Sequence, residues 1–226
     1  MHELSSEVLT EETMKQLGNI IKRYVETETS KKLEAFKALN KQAERAGVVF
    51  VGDSITEGYP IHELLTEPRP LFNRGIAGLH SGQLLQEIDA LVLNLFPKKV
   101  FLLIGTNDLG DGIRPREIEQ NIKQICDEIV ANDKKVKIYL LSVYPINSQS
   151  EYTSIVGSRN NETIQELNEQ LKLKLSSENI IYLDIFTHLV DKNGDLNKDF
   201  TTDGLHLTVE GYKMVSKILT PHISGE

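Results

Sequence analysis

Two periodicities divide this chain. Over residues 1 to about 45, apolar positions recur at helical spacing: Met14, Leu17, Ile20, Ile21, Tyr24 and Val25, then Leu33, Phe36 and Leu39. That spacing predicts one or two amphipathic helices ending near Gly47. From Gly47 onward, short unbroken apolar runs alternate with helical stretches. The runs are Val48–Val51, the neighbourhood of Leu71 and Phe72, Val100–Ile104, Val136–Ser142 and Ile180–Leu183. Runs that do not alternate with polar residues suit strands covered on both faces, as in a parallel sheet. Between them, Leu84, Leu85, Ile88, Leu91 and Leu95 follow Ser81 as the expected N-cap, and Ile118–Ile129 follow Pro115. Ile164, Leu167, Leu171 and Leu175 predict another helix; Val209, Tyr212, Val215 and Leu219 predict the last, capped by Thr208. This rhythm predicts a three-layer α/β/α domain on a five-stranded, mostly parallel sheet with right-handed crossovers. The boundaries expected are a helical extension over 1–45 and a domain over 46–226. The extension's apolar stripe must cover something, either the main domain or another copy of the chain in a homodimer.

Composition narrows the function classes. With 226 residues, 39% hydrophobic and 26% charged, the chain can bury a sizeable core without disulfides or metal. Its one cysteine, Cys126, lies on the stripe of Ile118, Ile122, Ile125 and Ile129, the place of a buried structural thiol. Lys+Arg 25 against Asp+Glu 33 gives a net charge of -8, which disfavours nucleic acid and anionic membranes as partners. No apolar run approaches the ~20 residues that span a bilayer. The start, Met1 to Glu7, has neither a basic segment nor a long apolar core, so a secretory signal is not expected and a cytoplasmic location is.

In an open parallel sheet, ligands bind beyond the carboxyl ends of the strands, and the residues leaving the predicted strands are unusual. The first run ends in Gly52-Asp53-Ser54-Ile55-Thr56-Glu57-Gly58, and the second leads into Asn73-Arg74-Gly75-Ile76-Ala77-Gly78. The third ends in Gly105-Thr106-Asn107-Asp108, and after the fifth come Asp203-Gly204-Leu205-His206-Leu207-Thr208. Singly, each reads as ordinary turn or cap chemistry. Together they supply the parts of acyl transfer: a nucleophile, a base, an orienter for the base, and donors for a developing oxyanion. Ser54 can present its hydroxyl just past a buried strand, with its own N–H opening a helix. His206 alone among six histidines has an aspartate three residues before it. Asp203 can therefore fold back to Nδ1–H and leave Nε2 for Ser54. Gly78 offers an N–H where a side chain would obstruct, and Asn107 offers a side-chain amide.

With these blocks in this order, the sequence resembles the SGNH hydrolases, the branch of the GDSL lipase/esterase group typified by the catalytic subunits of platelet-activating-factor acetylhydrolase. The resemblance covers roughly residues 47 to 220. It implies a flavodoxin-like fold and matches Ser54 to the nucleophile, Gly78 and Asn107 to the oxyanion donors, and Asp203 with His206 to the Asp-x-x-His pair. Gly75 then falls to a turn role, and Gly211-Tyr212 fits the family's usual ending. One departure stands out: Leu79 and His80 follow Gly78, where the family often places an acid. The resemblance implies a serine esterase of short acyl groups on lipids, carbohydrates or other small molecules. Loops after strands two to four would line the substrate pocket, with Asp53, Leu79, His80, Leu109, Tyr144 and Ile146 as substrate-binding candidates.

Other chemistries fail on spacing. Gly52 to Gly58 is one residue too long for a phosphate loop, and Tyr59 stands where lysine is required. No Gly-x-Gly-x-x-Gly follows the first strand. His2-Glu3 and His62-Glu63 lack the second histidine of a zinc helix, and Leu196 replaces the glycine a calcium loop needs after Asp191. No metal and no cofactor are expected. Two alternatives use the same residues or the same fold: an acyltransferase that passes the acyl group to an acceptor other than water, and a non-catalytic binding module.

Overall fold

The computed structural model describes residues 11–66 and 69–223, without the side chains at 11, 12, 14, 15, 21 and 22. The segment Met1–Glu7 and the side chains of the stripe positions Met14 and Ile21 lie outside what is described. Five strands form one parallel sheet: β1 (Val48–Gly52), β2 (Leu71–Gly75), β3 (Lys99–Leu103), β4 (Lys137–Leu141) and β5 (Ile180–Leu183), in the order β2-β1-β3-β4-β5. Each strand contains or overlaps one of the apolar stretches, although β2 runs on from Leu71 and Phe72 through Asn73 and Arg74, and β1 and β3 are buried along their whole length.

The helices are α1 (Glu11–Asn40), α2 (Ser54–Glu57), α3 (Ile61–Leu64), α4 (Ser81–Gln86), α5 (Ile88–Leu91), α6 (Thr106–Gly110), α7 (Pro115–Asn132), α8 (Thr153–Val156), α9 (Asn161–Leu175), α10 (Phe186–Leu189) and α11 (Val209–Ile223). They cover the sheet in two layers, and alternate strand residues point to opposite cores. Val49, Val51, Val100 and Leu102 pack with α4, α5, α7 and α9, whereas Val48, Phe50, Phe101 and Leu103 pack with α3, α10 and α11. On the second face Phe50, Phe101 and Tyr139 stack across three adjacent strands, with ring centroids 4.7 Å apart at each step. Offset stacking of this kind adds to simple burial and pins the register of β1, β3 and β4.

Cys126 is fully buried on α7, and burial pushes its thiol up to about 12, so it is not a nucleophile at neutral pH. Two local expectations need correction. The pattern from Leu84 to Leu95 is broken into α4, α5 and a 3-10 turn at Leu93–Leu95, and the residue preceding α4 is His80, not Ser81. Ser81 is the first helical residue because its N–H and hydroxyl are both drawn onto the buried Asp108 carboxylate. Helix α1 is a single helix that stops at Asn40, before Gly47.

The two halves of α1 differ. Leu33 is buried in the first core with Phe36 and Ala43 packed beside it, and Asn40 bridges Ala90 O and the Arg74 guanidinium. The Arg74 guanidinium in turn lies 4.5 Å over the Phe36 ring. Towards its start, α1 leaves Leu17, Ile20, Tyr24 and Val25 exposed. The C-terminal half is thus a layer of the domain itself. Among the described residues, no helix is long and apolar enough to cross a membrane.

Candidate active site

The sheet order places β1 and β3 side by side at the point where the chain reverses its direction of winding, the usual crevice of such folds. Ser54 leaves β1 and Asn107 leaves β3. Two devices bring Ser54 to the edge of that crevice. The Asp53 side chain accepts the Ile55 N–H at 2.9 Å and starts α2 at Ser54. Gly75, at the end of β2, lies so close to α2 that a Cβ there would come within 2.1 Å of Glu57 N. Gly75 therefore serves close approach. Tyr212 fastens the other side, donating its hydroxyl to Ile55 O at 2.7 Å from α11.

Ser54 Oγ stands 2.9 Å from His206 Nε2, and His206 Nδ1 stands 2.7 Å from Asp203 Oδ2. Asp203 Oδ1 also accepts the backbone N–H of Leu205 and His206, at 2.9 and 2.8 Å. The loop is tied by Thr201, whose hydroxyl donates to His206 O and accepts the Gly204 N–H. Partial burial works against charge on Asp203, but the hydrogen bonds from the His206 ring and from the two backbone groups outweigh it and hold the carboxyl below its usual range. An ionised Asp203 can only accept, so the proton between the pair sits on Nδ1 and Nε2 is left with a lone pair facing the serine.

Gly78 adopts φ +76°, the left-handed region that glycine enters without penalty. Its loop is fixed by Glu57, which accepts the Ala77 N–H at 2.6 Å and pairs with Lys32 of α1. Val25, also on α1, has a methyl group 3.4 Å from where a Cβ on Gly78 would stand. Among the described residues, neither the Ser54 N–H nor the Gly78 N–H donates to another protein group. Asn107 Nδ2 donates to Leu79 O at 3.0 Å, and Asn107 Oδ1 accepts from Arg159 Nη2 at 3.1 Å. No cluster of three His, Cys, Asp or Glu side chains suited to a metal ion occurs among the described residues.

The substrate-binding candidates are placed differently from expectation. Leu79, Leu109 and Ile146 belong to the first core and Tyr144 to the second, none more than 6% exposed. Asp53 is 1% exposed, and its Oδ2 finds no hydrogen-bond donor among the described residues. His80 alone of the six reaches the surface, where Nε2 meets Asp111 Oδ2 at 3.0 Å. Sequence reasoning missed the contributions of Lys32, Val25 and Arg159. The Glu57 in the first block was a signal for a tether, but nothing local pointed to its partners.

The buried Asp53 makes a measurable prediction. Burial pushes its carboxyl from the usual 3.8 up to about 6, against the favourable Ile55 N–H. The folded-state pKa lies above the unfolded one, so the protein loses stability as pH rises through this interval. The cost is absent below about pH 4 and complete above about pH 6. Two units correspond to roughly 3 kcal/mol. Asp53→Asn keeps the acceptor for Ile55 and removes the charge. Urea unfolding should show its stability relative to the original chain rising by about that amount from pH 4 to pH 7. A difference that does not change with pH would contradict the assignment.

Solved structures share this fold, and curated relatives match parts of the sequence. The N-acylneuraminate cytidylyltransferase of Escherichia coli is 34% identical over 146 residues, 63% of this chain and 32% of that protein. This chain therefore spans about a third of the length of that relative. The platelet-activating factor acetylhydrolase IB subunit alpha2 of Rattus norvegicus is 28% identical over 177 residues, 76% of this chain and 73% of that one. A solved structure from Streptococcus pneumonia superposes with TM-score 0.87 at 34% identity, covering 92% of this chain and 98% of the other. A GDSL-like lipase from Bacteroides thetaiotaomicron gives TM-score 0.73 at 27% identity, over 84% and 96%. The model of the GDSL-like Lipase/Acylhydrolase family matches residues 50–214, from the middle of β1 into α11, and the chain belongs to that family.

Proposed function

We propose that the chain is a carboxylic ester hydrolase that works through an acyl-enzyme on Ser54 and prefers short acyl groups. The observation that carries this reading is the continuous line Ser54–His206–Asp203, with the serine and the histidine 152 residues apart in sequence. His206 Nε2 takes the hydroxyl proton as Ser54 Oγ attacks the ester carbonyl, and the carbonyl π electrons move onto its oxygen. The Ser54 N–H, the Gly78 N–H and the second Asn107 Nδ2–H are the donors available to that oxygen, none of them donating to another group among the described residues. The imidazolium returns its proton to the departing alkoxide. Water, deprotonated by the same nitrogen, then releases the acid.

The extension at 1–45 takes part in this reading. Helix α1 and the Ile76–Gly78 loop bound a groove of about 620 Å³, with Tyr24, Val25, Ala35 and Ile76 as its apolar wall. We place the larger substituent of the ester there, next to Gly78. Names among the relatives, an acetylhydrolase and an N-acylneuraminate cytidylyltransferase, support acetyl esters on a lipid or a sugar as the first substrates to try.

The test joins reactivity to turnover. A fluorophosphonate should label Ser54, located by peptide mass spectrometry, and a p-nitrophenyl ester series should show turnover falling as the acyl chain lengthens from acetyl. Absence of both labelling and hydrolysis would favour a binding module. Labelling with product formed only when an alcohol or sugar acceptor is added would favour an acyltransferase.

A further inference from the structure

We infer that Arg159 is a positioning residue for the oxyanion hole, fixing the orientation of the Asn107 amide and strengthening it as a donor. The inference rests on the reading of Asn107 given above. A primary amide can rotate by half a turn at little steric cost, which exchanges its oxygen and nitrogen. Here the exchange is blocked from two sides. Leu79 O, which only accepts, faces one end at 3.0 Å, and Arg159 Nη2, which only donates, faces the other at 3.1 Å. Turning the amide over would set carbonyl against carbonyl and NH2 against guanidinium. One orientation satisfies both neighbours, and in it Nδ2 keeps a second hydrogen for the crevice.

Arg159 can do this because it is itself held. Its Nε donates to Thr106 O at 2.8 Å and its Nη1 to Val156 O at 3.0 Å, so three of its nitrogens serve three separate acceptors. The guanidinium lies against Gly110, where a Cβ would stand 2.5 Å from it, so only glycine leaves room for the plane. Ser158 Oγ donates to Gly110 O at 2.6 Å and stitches the two segments together beside it. Arginine suits the task better than lysine, since its planar fork reaches several acceptors in fixed directions. A cation bonded to Oδ1 also draws electron density from the amide, making Nδ2–H a stronger donor as negative charge forms on the substrate oxygen.

The experiment is a double-mutant cycle with kcat and KM on an acetyl ester, and thermal melting as a control for folding. Asn107→Ala should lower kcat by ~10²–10³, as for loss of one oxyanion donor. Arg159→Met should lower kcat by about tenfold with KM nearly unchanged, the scale of one hydrogen bond to a charged group. In the Asn107→Ala background the same Arg159→Met change should cost less than about twofold, because the group it acts through is gone. Arg159→Lys should lie between Arg159→Met and the original chain. An equal loss in both backgrounds, or no loss of kcat in either, would overturn the inference. The side-chain amide resonances of Asn107, followed by NMR, test the positioning apart from turnover. They should move in Arg159→Met, and unchanged resonances would overturn it even in a chain without esterase activity. An original chain without esterase activity would instead refute the proposed function.

Discussion

Ser54→Ala is expected to lower kcat on activated esters by about 10⁶-fold, the scale seen when a triad nucleophile is removed. The change deletes the hydroxyl that meets His206 Nε2, so on this reading the imidazole has no serine proton to take and no acyl-enzyme can accumulate. Stability should hardly move, since the serine contributes a single, partly exposed hydrogen bond worth about 1 kcal/mol. All three donors remain, the backbone N–H of residue 54, the Gly78 N–H and the Asn107 amide, and should still bind and polarise an ester and leave a trace of activity above the uncatalysed rate. Steady-state rates with melting temperatures check both halves. Activity within tenfold of the original chain would place the nucleophile elsewhere.

Asp203→Asn should cost about 10⁴-fold in kcat, and the geometry says why an isosteric change does so much. Oδ1 of Asp203 is committed to two backbone N–H groups, those of Leu205 and His206. An asparagine must keep its oxygen there, so its NH2 takes the place of Oδ2 and points at His206 Nδ1. That nitrogen must then become the acceptor, its proton moves to Nε2, and the nitrogen facing Ser54 turns from base to donor. The loop stays closed because both backbone bonds survive. Asp203→Ala should by contrast loosen it. The depressed carboxyl of Asp203 adds a sign to the comparison: its contribution to stability is present above the usual carboxylate range and is lost as pH falls through the lower folded-state value. Asp203→Asn should therefore remove part of the acid sensitivity of unfolding while abolishing most turnover. Equal kcat in the Asn variant and the original chain would end the assigned role of the pair.

The parts of the site that lie within a few residues of one another were readable from the chain, because local chemistry prescribes them. Asp53 caps the turn that begins at Ser54, and Asp203 folds back over three residues to its histidine; both are short-range hydrogen-bonding habits of aspartate. The central strands were equally legible, since burial on both faces keeps their runs apolar, whereas β2 shows only Leu71 and Phe72 before Asn73 and Arg74 interrupt it. The pocket lining was not. An apolar residue after a strand looks the same whether it faces a ligand or plugs the layer beneath, and Leu79, Leu109, Tyr144 and Ile146 do the latter. Nor could periodicity say which half of α1 would dock, because Leu17 and Ile20 obey the same spacing as Leu33 and Phe36.

By itself, then, the sequence determined the layered α/β architecture, the strand positions and the four blocks at their ends, because each depends on neighbours along the chain. The tertiary structure alone decided that Ser54 meets His206, that Lys32 and Glu57 brace the Gly78 loop, and that Arg159 holds Asn107 from 52 residues away. Those pairings follow from which helices the crossovers lay side by side and from the space a glycine leaves at position 110. No local pattern encodes either one, since long-range contacts are chosen by the packing of whole layers.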